Sequence, residues 1–401
     1  SSRPSSSAPP HSFSLASPPL LPQQPPPPPQ PSTSLYNPTK LHPNTPALLP
    51  ITQHDLQLFT RSRNWLRKNV DRASLPPPTP VSLPPLASPG DDVSVVAGHY
   101  NARPEVGRTA RRESPIIALK NFNNWVKSAL IQKYGRSGGR GSRIRVLDIG
   151  CGKGGDLQKW SKNGVSEYVG LDIAEVSVRQ AEERYLDMRQ RRMTAYFQAM
   201  DCYRKSIRDL LPQDIFSTPF QTVTMQFCMH YAFYAEQSVR QMLENVSTNL
   251  ATGGTFIGTI PNAEHILANL ASSGELSFGN PAFRITFEER PPTPPAPSDP
   301  DQSSAFGHKY SFFLQDAVGG EDGGVPEYLV HWPNFARLAG EYGLVEEYRK
   351  DFADLLNEEQ DHEVFGPLLR RMKVVDADGL SDMDEEQWEA ASIYMAFAFR
   401  K

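Results

Sequence analysis

Residues 146–160, VLDIGCGKGGDLQKW, restrict the fold more than any other stretch of this chain. An apolar strand runs into glycines at 150, 152, 154 and 155, and Leu157 and Trp160 then open a helix. A glycine turn between strand and helix lets backbone amides crowd against a ligand. The surroundings repeat the strand. Residues 144–149 (IRVLDI), 167–172 (EYVGLD), 195–201 (AYFQAMD), 220–231 (FQTVTMQFCMHY) and 253–262 (GGTFIGTIPN) read as five strands, with helical spacing over 177–193 and 235–250. Alternating strands and helices predict an α/β fold with a doubly wound, mostly parallel sheet. The ligand is then expected at the carboxyl ends of the strands, where strand order switches.

Apolar spacing at Phe122, Trp125, Val126, Ala129 and Leu130 predicts a helix over 116–133, ahead of the first strand. Beyond residue 262, FGHKYSFFLQDAV alternates like a strand. PEYLVHWPNFARLAGEYGL reads as a helical segment interrupted by Pro333, and IYMAFAF (393–399) as a terminal strand. The proline-rich loop 291–303 interrupts the fold. Of 38 prolines, 23 fall in residues 1–90, five of them consecutive at Pro25 to Pro29. Such a segment buries too little apolar surface to offset its ordering entropy. Residues 1–94 are therefore expected to be a disordered tail with polyproline II stretches, and 95–401 one globular domain. Within the tail, 54–70 space Leu56, Phe59 and Trp65 as a helix would, which suits either a partner-bound helix or a solvated linker.

No apolar run approaches the roughly 20 residues of a membrane span, and no segment resembles a signal peptide. Cys151, Cys202 and Cys228 have neither zinc spacing nor disulfide parity, so no metal is expected. Residues 99–145 carry 11 Lys and Arg against two Glu, while 376–389 hold seven acids. The basic block suits a polyanionic partner or a solvated face.

Gly150, Gly152 and Gly155, with Asp172 22 residues beyond Gly150, satisfy the dinucleotide fingerprint. The same stretch also reads Asp-x-Gly-x-Gly-x-Gly from Asp148. An acid so close suits a cationic ligand such as S-adenosyl-L-methionine better than a pyrophosphate. Asp172 would accept the ribose hydroxyls and Asp201 the adenine amino group. Either acid alone is more often a helix cap. Lys153 and Lys159 find no use in that ligand, which carries no phosphate. A second, anionic ligand in the same cleft would explain them.

The chain resembles the messenger RNA cap guanine-N7 methyltransferase family. The resemblance rests on VAGHYN (96–101), NFNNWVKSALI (121–131), VLDIGCGKGGDLQKW, DIAEVSV (172–178), ERY (183–185), QFCMHYAF (226–233), GGTFIGTIPN, SFGNP (277–281), PEYLVHWP (326–333) and YMAFAFRK (394–401). It covers essentially all of 95–401 and implies the class I, Rossmann-like methyltransferase fold with S-adenosyl-L-methionine as donor. By position, Lys127, Gly150, Asp172, Asp201, Gln226 and Tyr231 match donor contacts. Asn123, Asn124, Lys153, Lys159, Arg184, His230, Glu327 and Tyr394 match contacts to the cap, the three basic residues facing its phosphates. Glu327, after Pro326 at an expected helix start, would accept the two parallel donors of guanine. The family also implies capped mRNA 5′ ends as substrate and a nuclear location. Residues 1–94, the loop 291–303 and the acidic stretch 376–389 have no counterpart in it; a tail of this composition could dock other capping enzymes or the RNA polymerase II machinery.

Guanine N7 offers an unprotonated lone pair, so no general base is expected and alignment should dominate catalysis. Two rivals stay open from sequence: a nicotinamide-dependent dehydrogenase and a non-catalytic RNA-end binding module. A small-molecule methyltransferase is a third.

Overall fold

The computed structural model describes residues 92–103, 113–136, 143–299, 301–319 and 324–401. The proline-rich residues 1–91, with the 54–70 island, lie outside them, as do 104–112 and 137–142 of the basic block. Helix α1 spans Asp92–Ala102, so regular structure begins inside the segment expected to be a tail. Then come α2 (Ile117–Tyr134), β1 (Arg145–Ile149), α3 (Leu157–Lys162), β2 (Glu167–Asp172), α4 (Glu175–Leu186), β3 (Thr194–Ala199), α5 (Ile207–Leu210), β4 (Phe220–Gln226), α6 (Glu236–Asn249) and β5 (Leu250–Pro261). The second half holds α7 (Ala263–Ser273), β6 (Ser277–Gly279), β7 (Phe283–Thr286), β8 (Lys309–Leu314), β9 (Val325–Tyr328), α8 (Trp332–Glu341), β10 (Val345–Asp351), α9 (Phe352–Glu359), α10 (Phe365–Arg371), α11 (Glu385–Ser392) and β11 (Tyr394–Arg400).

The main sheet has seven strands in the order β10-β11-β5-β4-β1-β2-β3. Strands β1 to β5 are mutually parallel, and β11 runs antiparallel to both β5 and β10. Strand β1 is buried along its whole length, as a central parallel strand must be. Period two divides the side chains between the faces. On β11, Met395, Phe397 and Phe399 join one core with Phe256 and Phe335, while Tyr394, Ala396 and Ala398 join the other with Phe122, Trp125 and Trp160. Each large buried ring contributes roughly 1.5–3 kcal/mol. Among the described residues, no helix is long and apolar enough to cross a membrane.

A second sheet, β6-β7-β8-β9, is antiparallel throughout. It corrects one expectation. Glu327 lies in β9, paired with Tyr310 of β8, and not at a helix start. Strand β9 is an edge of its sheet, where Pro326 removes no needed ladder bond. Pro333 begins α8 instead of interrupting it, because the first turn has no partner for its missing N–H. Helix α4 likewise stops at Leu186, short of 193, since the chain turns back to bury Met193 before β3. Strand β4 stops at Gln226. Phe227 adopts φ 60°, and a 3-10 turn over Met229–Tyr234 follows.

The inserted segments are tied down. Asn334 of α8 donates to Pro295 O (2.9 Å) and Gln302 Oε1 (2.6 Å), pinning the proline-rich loop. In the acidic stretch, Asp384 accepts from Gln387 N at 2.8 Å and caps α11. Asp376 accepts from both Asp378 N and Leu380 N. These acids satisfy backbone donors within their own turns.

Candidate active site

Strand order switches at β1, between β2 and β4. The turns that leave β1 and β4 must separate there, and a crevice opens between them. Gly150 takes φ 76° and Gly152 φ 51°, a region L side chains seldom enter. A Cβ on Gly150 would lie 2.5 Å from Cys228 Sγ, beyond the end of β4. Glycine is thus what lets the two strand ends approach so closely.

The crevice opens into a cavity of about 420 Å³. Its wall includes Asn123, Lys127, Gly150, Asp172, Asp201, Gln226, His230, Tyr231, Glu327 and Tyr394. Asn124, Lys153, Lys159 and Arg184 are outside that wall. Asn123 and Asn124 are neighbours on α2, about 100° apart around the helix. Asn123 faces the cavity, and Asn124 accepts from Lys159 Nζ at 2.8 Å. Lys153 donates to Arg103 O at 2.7 Å.

In one half of the cavity, Asp172 at the end of β2 accepts from Gly152 N and Ala174 N, each at 2.8 Å. Burial raises its pKa, partly opposed by those two amides. Each oxygen keeps acceptor capacity for a ligand hydroxyl. Asp201, past β3, accepts from Tyr203 N at 2.9 Å, and burial raises its pKa too. Lys127 reaches the wall from α2 with Nζ 2.8 Å from Asp156 Oδ2, and Asp156 Oδ1 lies 2.7 Å from Lys159 Nζ. Burial alone would raise the Asp156 pKa, but the two ammonium groups outweigh it and hold the carboxyl well below the usual range.

Asp148 departs from the sequence expectation. It is absent from the wall, and its Oδ2 accepts from Tyr168 Oη at 2.7 Å inside the sheet–helix layer. Period two accounts for this: Asp148 shares a face with Val146, and Gly170 opposite leaves room for the Tyr168 ring. Burial, reinforced by the Asp156 charge, pushes its pKa up to about 8.

The other half is aromatic. Tyr394 packs edge-on to Phe227, with centroids 5.0 Å apart, and stacks on Phe352 at 5.6 Å. Glu327 is 3% exposed; Oε1 accepts from Tyr231 Oη (3.2 Å) and Oε2 from Tyr310 Oη (2.9 Å). His230 Nε2 comes within 3.3 Å of Glu327 Oε1 without hydrogen-bond alignment. Both His230 ring nitrogens and Asn123 Oδ1 are buried without a hydrogen-bond partner in the protein. Buried polar atoms left so are costly unless a ligand or water meets them.

Helix α1 spans both halves. Tyr328 donates to Asp92, and Tyr100 Oη lies 3.2 Å from Tyr231 Oη. On the other side, Asn101 Oδ1 accepts from Val176 N at 3.0 Å. Tyr100, Asp156 and Tyr310 carry no role in the sequence reading. Tyr100 sits inside the quoted VAGHYN, and Asp156 follows the last glycine of the turn, so both had local signals. Tyr310 is one alternating residue of β8 and had none.

Sheet order, glycine turn and acids at consecutive strand ends together define the class I methyltransferase fold, a methyl-donor-binding class. Within it, the chain belongs to the mRNA (guanine-N(7))-methyltransferase domain family, whose family model matches residues 87–401. It is 50% identical over 310 residues to an mRNA cap guanine-N(7) methyltransferase of Cryptococcus neoformans, covering 77% of this chain and 42% of that protein. The Schizosaccharomyces pombe protein of the same name is 47% identical over 314 residues (78% and 83%). A rice relative, mRNA cap guanine-N(7) methyltransferase 1, is 39% identical over 315 residues (76% and 80%). The chain thus spans less than half of the Cryptococcus relative and most of the other two.

Proposed function

We propose that the chain transfers a methyl group from S-adenosyl-L-methionine to N7 of the guanosine that caps the 5′ end of mRNA. One observation carries this reading: Asn123 Oδ1 and both His230 nitrogens lack a hydrogen bond within the protein, and they line the same cavity as buried Glu327 and Asp172. On this reading the cavity receives two ligands, one rich in hydroxyls at Asp172 and one with a polar aromatic edge at Glu327.

The residues present fit the donor. Gly150 lets the ends of β1 and β4 close up at the cavity wall, where a Cβ would strike Cys228, and Asp172 keeps acceptor sites for ribose hydroxyls. Asp201 would accept from the adenine amino group, with Gln226 and Tyr231 completing the wall. Lys127, oriented by Asp156, would face the carboxylate of the methionine part. When bound, the donor supplies a sulfonium-activated methyl group. For guanine, Glu327 would accept from N1–H and the N2 amino group, and His230 would donate to O6. Tyr394 and Phe227 would pack on the ring.

Guanine N7 loses no proton on methylation, so the chain need supply no general base. Its part is to hold N7 in place and to exclude water. Positive charge reaching the guanine would be stabilised by the Glu327 carboxylate, buried in a medium of low dielectric. Lys153, Lys159 and Arg184 would meet the triphosphate bridge. Lys153 would then leave the Arg103 carbonyl, and Lys159 would divide its charge between Asp156 and phosphate.

The same reading assigns the protein to the nucleus and the proline-rich residues ahead of Asp92 to docking of other capping enzymes or the RNA polymerase II machinery. The direct test of activity is methyl transfer from labelled donor to an unmethylated capped RNA, with uncapped RNA as control. Equal labelling of both would sink the proposal.

A further inference from the structure

The Glu327 carboxylate is gripped from two sides, and only one grip belongs to the cavity. Tyr231 lines the wall, whereas Tyr310 does not. Tyr310 is 1% exposed, faces Glu327 in the β8–β9 register, and rests its ring on Phe287 with centroids 5.6 Å apart. A ligand in the cavity meets Glu327 without meeting the Tyr310 hydroxyl.

The terminal torsion of glutamate is soft and broad. A carboxylate held at one oxygen can still turn about it. Held at Oε1 by Tyr231 and at Oε2 by Tyr310, it cannot. Each oxygen then has one acceptor position left, and both lie in a plane fixed from behind. That arrangement matches a base with two parallel donors and wastes one position on a base with a single donor.

We propose that Tyr310 is a positioning residue that sets base selectivity, by fixing the Glu327 carboxylate to receive N1–H and the N2 amino group together. The proposal rests on the guanine reading of this pocket. The discriminating probe is an RNA capped with inosine, which keeps N1–H and O6 and lacks the amino group.

Tyr310→Phe keeps the ring and removes only the hydroxyl. With donor saturating and salt fixed, KM for guanine-capped RNA should rise about tenfold, the loss of one charge-assisted hydrogen bond, while kcat stays within roughly threefold. KM for inosine-capped RNA should rise less, so the guanine-to-inosine ratio of kcat/KM falls. Donor affinity by calorimetry should not move. A merely structural role would weaken both caps and the donor alike. Glu327→Gln is the control arm. If it lowers the ratio and Tyr310→Phe does not, the Tyr310 proposal is overturned and the guanine pocket stands. If neither changes the ratio, both fall. Should Tyr310→Phe not fold, a ring-fluorinated tyrosine at 310 keeps shape and hydroxyl but strengthens the donor. The ratio must shift there too, and an unchanged ratio overturns the proposal.

Discussion

Lys127 Nζ and Asp156 Oδ2 stand 2.8 Å apart, joining α2 to the residue just ahead of the helix that follows the glycine turn. The other Asp156 oxygen holds Lys159, so one buried carboxylate anchors two ammonium groups. Asp156→Asn should cost on the order of 3 kcal/mol of stability, the lower end for a broken buried pair, because both lysines keep some solvent contact. Donor affinity should fall with it, as Lys127 loses its placement. Chemical denaturation and calorimetry check the two effects. A destabilised variant with unchanged donor affinity would detach Lys127 from the donor site.

Asp172→Ala should abolish donor binding and leave the fold intact. Two ribose hydroxyls on one carboxylate make charge-assisted bonds of roughly 1.5–3 kcal/mol each. The donor KM should climb steeply while the cap KM changes little. Steady-state kinetics with each substrate varied in turn would reveal the asymmetry, and equal losses for both substrates would contradict it.

Asp148 predicts a pH dependence. Its folded pKa of about 8 is raised above the ordinary carboxylate value. Between about pH 4 and pH 8 the folded chain keeps a proton that the unfolded chain has released. Folding stability from this group therefore declines as pH rises through that window and levels off above it. Asp148→Asn, neutral at every pH, should remove the decline, by a kcal/mol or more between pH 5 and pH 8. Melting temperatures of both proteins across that range are the measurement. Parallel curves would mean Asp148 is ionised in the native state.

The boundary of the catalytic unit falls ahead of Asp92. Asp92 accepts from Tyr328 and pairs with Lys309 at 3.6 Å, so the first residue of α1 holds the second sheet. A chain lacking residues 1–86 should keep its kcat on capped RNA. One lacking 1–94 should lose affinity for the cap through Glu327, the strand neighbour of Tyr328. Equal activity of both shortened chains would show that Asp92 has no part in shaping the pocket.

The main sheet was legible because its signals are local. A strand, a glycine turn and a strand-end acid lie within a few residues of one another; Asp172 ends β2 as expected, and Asp201 lies two residues past the end of β3. Asp148 was misplaced for a comparably local reason. Its charge alone suits a cationic ligand, but its parity along β1 turns it away from the cavity toward Tyr168. The second sheet was less legible. Val325–Tyr328 is short, contains a proline and runs into a helix, so its periodicity merged with that of α8. Tyr310 could not be found from spacing, since its function depends on pairing with a residue 17 positions away.

Helix α1 has a thermodynamic consequence. It is fastened to Glu327 through Tyr100 and Tyr231, and to the first turn of α4, just past Asp172, through Asn101. Whatever ordering the donor imposes on α1 is ordering the cap no longer has to supply. Each ligand should then tighten the other, and by linkage the two factors must be equal. Measuring donor affinity with and without a non-reacting cap analogue, and the converse, would give the same ratio twice. In Tyr100→Phe, which cuts the hydroxyl link at one end of the helix, that shared ratio should shrink toward one.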